Sequence, residues 1–135
     1  MYEYFVKEVK NVVDGDTIDV VIDLGFDILF ASRVRLAGID TPESRTTDKA
    51  EKALGVEAKE YLKKQLKDAK SVVIRTEKMD SSEKYGRILG WVYVNGESES
   101  VNNKMISDGY AWGYLGETKI KEFEVLKKAR SKSGK

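Results

Sequence analysis

The sequence predicts an α+β fold in which a small closed β-barrel carries about three helices. Five short segments alternate apolar and polar residues or are rich in β-branched residues, which is typical of strands. A segment with helical spacing separates the third strand from the fourth, and further helical segments follow the fifth. This order of elements is that of the OB-fold, a five-stranded barrel whose surface commonly binds oligonucleotides.

The first three strands are predicted in the N-terminal part of the chain. Tyr and Val residues recur among charges in residues 4–13, β-branched residues recur in residues 17–24, and residues 28–38 form the returning strand. An Asp-Gly pair between the first two strands is a strong turn or bulge signal, and Gly15 is expected to take a positive φ. Residues 24–27 are predicted as the next turn.

The centre of the chain is predicted to contain the main helix. Asp48 is expected to cap a helix, with Glu51 three residues later completing a capping box. Because Gly55 disfavours a continuous helix from Asp48, residues 44–54 are predicted as a loop with some helical turns. Beyond this loop, small and apolar residues follow helical spacing through about Lys67: Ala58, Leu62, Leu66 and Ala69.

The last part of the chain is predicted as two strands and two helices. Residues 71–78 and 85–94 are the strands, and the second one ends in Asn-Gly at positions 95–96, a favoured tight hairpin turn. Residues 101–108 form a short helix stopped by a glycine, and residues 119–129 form the final helix.

The 135 residues are predicted to form a single domain, with a basic tail after about residue 130 that is expected to fray. No apolar run approaches the roughly 20 residues needed to span a bilayer, so we expect no membrane partner, and we expect a monomer. Strand-like sequence begins directly after Met1, without a signal peptide. We expect a cytoplasmic protein if Met1 is the native start, and a secreted one if a leader has been removed.

Two absent residue types restrict the chemistry. The chain has no cysteine, which excludes disulfides, thiolate zinc sites and cysteine nucleophiles. It has no histidine, which excludes histidine bases, serine–histidine triads and histidine-bound transition metals. Any metal must be held by oxygen, as calcium, magnesium and manganese are. The net charge of +1 argues against a large static nucleic-acid interface.

The central motif of the chain is RVRLAGIDTPE, at residues 33–43. It begins as an alternating strand and ends in a tight acidic corner, because Pro42 fixes its own backbone and cannot continue a ladder. The corner places Asp40 and Glu43 close together, a few residues after Arg35 on the same strand. Carboxylates with an arginine suit metal-assisted chemistry on a phosphate, since acids hold a cation or activate water and guanidinium forks a phosphoryl group.

Three stretches together resemble the staphylococcal nuclease (thermonuclease) family. They occur in the family's order and context, and the similarity extends over residues 6–129. The three stretches are Asp14-Gly15-Asp16-Thr17, then Arg35-Leu36-Ala37-Gly38-Ile39-Asp40-Thr41-Pro42-Glu43, then Lys84-Tyr85-Gly86-Arg87.

The resemblance implies a calcium site. Its ligands would be the carboxylates of Asp16 and Asp40 and the main-chain carbonyl of Thr41. So few protein ligands leave several positions for water and substrate, which a flexible cation such as calcium tolerates well.

The resemblance also implies the catalytic residues. Glu43 would activate the attacking water, as general base or by orienting it. Arg35 and Arg87 would contact the scissile phosphate, where a forked guanidinium meets the negative charge that builds on two phosphoryl oxygens.

Substrate contacts are expected from lysine and tyrosine side chains. Lys84 and Tyr85 would hold a terminal phosphate and stack on a base. Tyr114 is the expected base-stacking platform, with Tyr110 or Trp112 as alternatives.

The remaining charged side chains are predicted to be supporting or solvated. Asp14 and Asp19 provide supporting or turn hydrogen bonds, and Arg33, outside the matching motif, is an ordinary solvated side chain. The lysines of the main helix form a solvated face: Lys59, Lys63, Lys64 and Lys67.

The sequence therefore predicts a calcium-dependent phosphodiesterase that acts on DNA and RNA with little base specificity, with single-stranded or locally unpaired substrates favoured. The resemblance implies in-line attack by water and release of the 5′-oxygen, leaving a 3′-phosphate. The alternative is a non-catalytic OB-fold module that binds single strands or a protein partner. A nuclease confined to a particular substrate, such as mobile-element DNA, is a third hypothesis.

Overall fold

Five strands close a β-barrel in the computed structural model, which describes residues 2–76, 88–113 and 123–133. The barrel strands are β1 (Tyr2–Asp14), β2 (Thr17–Asp23), β3 (Leu29–Leu36), β5 (Val72–Thr76) and β6 (Ile88–Val94). Two very short strands pair outside the barrel, β4 (Ile39–Asp40) and β7 (Trp112–Gly113). The helices are α1 (Lys49–Lys67), α2 (Val101–Ser107) and α3 (Phe123–Ser133). The predicted OB-fold of the α+β class is confirmed.

Strand pairing closes the barrel in the order β1-β2-β3-β6-β5, with β5 returning to β1. The β3–β6 pairing is parallel, with Val34 opposite Ile88, whereas the other barrel pairings are antiparallel. Alternation along the strands sends one face of each into the barrel, and in β2 the inward residues Ile18, Val20 and Ile22 are at most 2% exposed. Burial of each such side chain stabilises the fold by about 1.5–3 kcal/mol.

Strand β1 is bulged along its length. At three places in the pairing of β1 with β2, β1 advances by two residues while β2 advances by one. The residues left without an opposite partner are Lys7, Lys10 and Val13. Such bulges bend a strand and redirect side chains.

Helix α1 covers the barrel with the apolar stripe predicted for it, since Ala58, Leu62 and Leu66 are buried. The prediction of a loop with some helical turns over residues 44–54 is wrong from residue 49 onward, because α1 starts at Lys49 and continues through Gly55. A glycine inside a helix costs about 1 kcal/mol relative to alanine. Here that cost is offset by packing that only glycine permits, as described below for the site.

The start of α1 departs in one detail from the predicted capping box. Asp48 is the N-cap, and its Oδ1 accepts hydrogen bonds from the backbone N–H groups of Ala50 and Glu51. The backbone N–H of Asp48, however, donates to the Thr46 hydroxyl. The Glu51 side chain instead accepts a hydrogen bond from another segment, the backbone N–H of Glu43.

The connection after β6 has the predicted tight turn, followed by the predicted helix. Asn95 and Gly96 both have positive φ, of 56° and 71°. The chain then enters α2, which Ser100 caps and which lies within the predicted range of residues 101–108. Gly109, with φ of 84°, follows the end of α2 as expected.

Helix α3 remains helical to Ser133, beyond the start of the tail that the sequence predicts to fray. Leu126 is 1% exposed, and the Arg130 guanidinium donates to the carbonyl of Gly109 and pairs with Glu57. These contacts hold α3 against α2 and α1. Among the described residues, no helix is long and apolar enough to cross a membrane.

Candidate active site

The turn after β1 and the acidic corner after β3 meet at one end of the barrel. A Cβ on Gly15 would lie 2.8 Å from the Cβ of Ala58 and 3.0 Å from Oγ1 of Thr41. Only a glycine therefore lets the turn approach both the corner and α1. The predicted positive φ of Gly15 is wrong, since its φ lies outside the positive range. Close packing, rather than backbone handedness, requires glycine at this position.

Arg35 lies between the two aspartates of these segments. Its Nη2 is 3.6 Å from Oδ2 of Asp16 and 3.7 Å from Oδ1 of Asp40, and its side chain is only 9% exposed. The pairing of Thr17 with Arg35 across β2 and β3 brings the turn beside this arginine. Nη1 also donates a hydrogen bond of 2.9 Å to the carbonyl of Leu36, which fixes the orientation of the guanidinium. At both aspartates the separation exceeds hydrogen-bond length, so the attraction there is electrostatic.

The acidic corner is fixed by backbone geometry. Gly38 has a φ of 75°, and a Cβ there would lie 2.6 Å from the Trp91 indole, so glycine is required on both counts. Two residues later, Asp40 pairs with Trp112 in the β4–β7 ladder. Asp40 and Thr41 are 4% and 3% exposed. The corner is thus a buried, rigid support for its carboxylate and carbonyl oxygens.

Glu43 is anchored through its backbone, while its side chain is exposed. Its N–H donates to Oε2 of Glu51 at 3.1 Å. Behind it, a Cβ on Gly55 would lie 2.5 Å from the carbonyl carbon and oxygen of Glu43. The N-terminal half of α1 therefore positions the backbone of Glu43 beside the acidic corner. Glu51 and Gly55 were not predicted as site residues, although each contacts this segment.

Asp14 is the last residue of β1 and lies, partly buried, at the start of the turn. Burial raises the pKa of Asp14, a hydrogen bond with the Ser44 side chain opposes this shift, and the nearby Asp16 adds to it. Its Oδ1 also accepts from the N–H of Gly15. These contacts agree with the supporting role expected for Asp14.

Asp19 and Arg33 form an exposed ion pair across β2 and β3. The Arg33 Nε and Nη2 atoms donate to the two carboxylate oxygens of Asp19, at 2.8 and 3.1 Å. The hydrogen bond from Arg33 lowers the pKa of Asp19. Arg33 is half exposed, as predicted for a solvated side chain, but it is paired, and it takes no part in the contacts around Arg35.

Four predicted residues lie outside the described residues: Lys84, Tyr85, Arg87 and Tyr114. The two aromatic alternatives to Tyr114 both make packing contacts with other side chains. Trp112 is 7% exposed and lies against Phe123, with ring centroids 5.9 Å apart. Tyr110 stacks on Tyr61 at 4.4 Å, and the Arg130 guanidinium lies 4.1 Å from its ring centroid.

The donor chemistry of the corner fits a hard cation. Two carboxylates on separate segments flank the same guanidinium, and the Thr41 main chain follows directly after Asp40. The Oγ1 atom of Thr41 is buried without a hydrogen-bond partner among the described residues. Within those residues, no three acidic side chains form a metal-binding group. A cation here would thus have few protein ligands, which calcium accepts by completing its shell with water.

Fold and site together define an OB-fold domain whose buried arginine lies between two aspartates at one end of the barrel. Residues 33–135 match the staphylococcal nuclease homologue family, and this range includes Arg35, Asp40, Thr41 and Glu43. The chain belongs to this family. The predicted resemblance is confirmed over that range, whereas Asp16 precedes it.

Curated relatives match over most of the chain. A micrococcal nuclease from Shigella flexneri is 35% identical over 93% of this chain and 70% of its own length. Protein ParB from Escherichia coli is 35% identical over 95% of this chain and 68% of its own length. An uncharacterized protein, MJ1439, from Methanocaldococcus jannaschii is 27% identical over 90% of this chain. This chain spans 65% of the length of MJ1439, so about a third of that relative has no counterpart here.

Proposed function

We propose that this protein is a calcium-dependent nuclease that hydrolyses phosphodiester bonds of DNA and RNA with little sequence specificity. Membership of the staphylococcal nuclease homologue family supports hydrolase chemistry on nucleic acid. Among the relatives, one is named a micrococcal nuclease, and a 33% identical relative from Bacillus subtilis is named an endonuclease. Single-stranded or locally unpaired substrates are proposed to be favoured, because stacking on an aromatic side chain needs an unpaired base.

The observation that carries the proposal is the position of Arg35 between Asp16 and Asp40, with separations of 3.6 and 3.7 Å. A guanidinium buried beside two carboxylates is held in place before any substrate binds. Preorganised charge of this kind stabilises the negative charge that develops on a phosphoryl group, because little reorganisation is needed during the reaction. Arg87 is proposed as the second arginine on the scissile phosphate.

Glu43 is proposed to orient and deprotonate the attacking water. The residue is exposed to solvent, and its backbone is fixed by Glu51 and α1. With no histidine in the chain, a carboxylate is the natural base. The proton passes to Glu43 as the water oxygen attacks phosphorus. The bond to the 5′-oxygen then breaks, the leaving 5′-oxygen takes a proton from solvent water to become a hydroxyl, and the product retains a 3′-phosphate.

Asp16, Asp40 and the Thr41 carbonyl are the proposed calcium ligands. When bound there, calcium supplies positive charge to a phosphoryl oxygen and helps to align the phosphate. The carboxylates of Asp16 and Asp40 would share their charge between the cation and Arg35. Few protein ligands leave positions for substrate and water. Lys84, Tyr85 and Tyr114 are proposed to contact the flanking phosphate and base.

Kinetics and binding on the same variants test the proposal. Glu43→Gln and Arg87→Ala should each lower the cleavage rate by about 10² or more, because both side chains act mainly in the transition state. Binding of a short fluorescent oligonucleotide should change much less, and Glu43→Gln should leave it equal or tighter, since it removes a negative charge near phosphate. Glu124→Gln, at an exposed position on α3, is the matched control for loss of one carboxylate.

The same data test the binding-module alternative. If Glu43→Gln and Arg87→Ala weaken binding in proportion to lost cleavage, these residues hold the ligand and do not catalyse. If the parent protein binds the oligonucleotide and cleaves none, the nuclease proposal is wrong.

A further inference from the structure

A cleft of about 460 Å³ lies between β1, the last turns of α1 and the α1–β5 connection. Its floor is apolar and includes Val9 and Leu66. Its rim is lined by basic side chains, with Glu8 as an acidic neighbour: Lys7, Lys10, Lys63, Lys67 and Lys70. Five lysines around one cavity concentrate positive charge locally. By contrast, the whole chain has a net charge of only +1.

Two of these lysines are among the three bulged residues of β1. Lys7 and Lys10 are the positions that the β1–β2 register skips. A regular strand would alternate its side chains between the two faces, whereas bulges redirect the extra residue. Lys7 and Lys10 both lie in the stretch of β1 that lines the cleft, residues 6–12.

Most of the rim charge has no counter-charge on the protein. Lys63 forms an ion pair, with its Nζ 3.8 Å from Oε1 of Glu60. In the part of the chain that the structure describes, Lys7, Lys10, Lys67 and Lys70 have no ion pair. Exposed, unpaired ammonium groups are available to an external anion at little desolvation cost.

The C-terminus of α1 explains only part of this cluster. Basic residues in the last turn of a helix, such as Lys67, complement its dipole. That effect falls off within one turn, and it gives no reason for lysines at two of the three bulges of β1. The two walls of the cleft thus acquire positive charge independently.

The cleft is separate from the candidate active site but lies along the same strand. On α1, Leu66 in the cleft is eleven residues beyond Gly55, which packs on Glu43, a separation of roughly 16 Å. On β1, Lys10 is four residues before Asp14, or roughly 13 Å along the strand. A polynucleotide of several residues could contact both regions, whereas a dinucleotide could not.

We infer that this lysine-lined cleft binds the phosphate backbone of a polynucleotide substrate, at a distance from the bond being cleaved. The inference rests on the proposed nuclease function and adds a second contact to it. Lysine ammonium groups attract backbone phosphates without reading sequence, and the apolar floor accepts sugar or base surface. The cleft favours long substrates over short ones.

Salt-dependent binding tests the inference. In a Glu43→Gln background, Lys10→Gln/Lys67→Gln is compared with Lys127→Gln/Lys128→Gln, which removes two exposed lysines from α3. The probe is a fluorescent single-stranded DNA of about 20 nucleotides. Losing two phosphate contacts should reduce the salt slope by about 1.4, at about 0.7 per contact. The ratio of the parent's affinity for DNA to that of the Lys10/Lys67 variant should thus fall about sevenfold between 50 and 200 mM salt.

With Glu43 intact, cleavage of a thymidine phosphodiester with a nitrophenyl leaving group reports on the active site alone. We expect the Lys10/Lys67 variant to cleave this ester like the parent and to lose efficiency only on the long DNA. An unchanged salt slope in the Lys10/Lys67 variant would contradict the inference that the cleft binds DNA. An equal reduction of the slope in the Lys127/Lys128 control would contradict it as well. If Lys10 and Lys67 are needed for the protein to bind vesicles with anionic phospholipid but not for it to bind DNA, the inference is wrong too. Failure of the parent to cleave even the ester would instead contradict the proposed function.

Discussion

Gly55→Ala tests how α1 positions the proposed base. A methyl group on Gly55 would lie 2.5 Å from the carbonyl carbon and oxygen of Glu43 and 2.6 Å from the amide nitrogen of Ser44. Ordinary contacts begin at 3.4 Å, and the atoms in the way belong to backbone, so the segment or the helix must move by roughly 1 Å. Alanine gains about 1 kcal/mol of helix propensity, while overpacking costs about 1–3 kcal/mol. The free energy of unfolding should therefore fall by no more than about 2 kcal/mol.

The rate should fall much more than this stability change suggests. Displacing a catalytic group by 1 Å costs up to about 10² in rate, so Gly55→Ala should lower cleavage by about that factor. Denaturant unfolding and oligonucleotide cleavage are measured on the same samples. Ala53→Gly is the control, since it is exposed on α1 and should cost about 1 kcal/mol in stability without moving Glu43. A Gly55→Ala variant with full activity would refute the positioning role.

Two further predictions concern interactions away from the reacting atoms. Asn102→Leu should destabilise the fold by about 3 kcal/mol or more in denaturant titration, because the fully buried amide accepts from Val92 N–H at 3.0 Å and donates to the Ala37 carbonyl at 2.8 Å. An unchanged midpoint would contradict this. Burial, followed by the hydrogen bond to Asp108, raises the pKa of Tyr61 above its ordinary 10.0. The stability that Tyr61 adds over Tyr61→Phe should be complete below pH 10 and decline above it; a difference that is constant to pH 11 would refute this.

Local patterns were sufficient for the barrel strands and the buried stripe of α1. The alternation of Ile18, Val20 and Ile22 and the helical spacing of Ala58 and Leu62 both correspond to buried faces. Each pattern is a property of neighbouring residues, and a one-residue shift would expose the apolar set to solvent. The sequence therefore specifies which face of these elements is inside.

Features that depend on distant segments were not predictable in this way. Gly55 reads locally as a helix breaker, and only its contact with Glu43 explains its place inside α1. The strands β4 and β7 have two residues each, too few for any periodic pattern. Asn102 is a polar residue in a short helix, and its burial follows only from hydrogen bonds to β6 and to the turn after β3.

The residues around Arg35 were predicted, but their arrangement was not. The three matching stretches of the resemblance indicated Asp16, Arg35 and Asp40. The β2–β3 register and the close contact at Gly15 bring the two aspartates to the same guanidinium, and neither follows from spacing alone. The sequence predicts that Glu51 completes a capping box with Asp48, whereas the Glu51 carboxylate accepts a hydrogen bond from the N–H of Glu43. The spacing between Asp48 and Glu51 is the same in both arrangements, so it could not distinguish them.

The most direct test of the proposed function is the metal dependence of cleavage. A single-stranded oligonucleotide is incubated with the wild-type protein in calcium, in excess chelator, and in zinc after chelation. Because the proposed ligands are few and all oxygen, from Asp16, Asp40 and Thr41, we predict cleavage with calcium, loss with chelator and poor recovery with zinc. Full cleavage in excess chelator would contradict the proposal of a calcium-dependent nuclease.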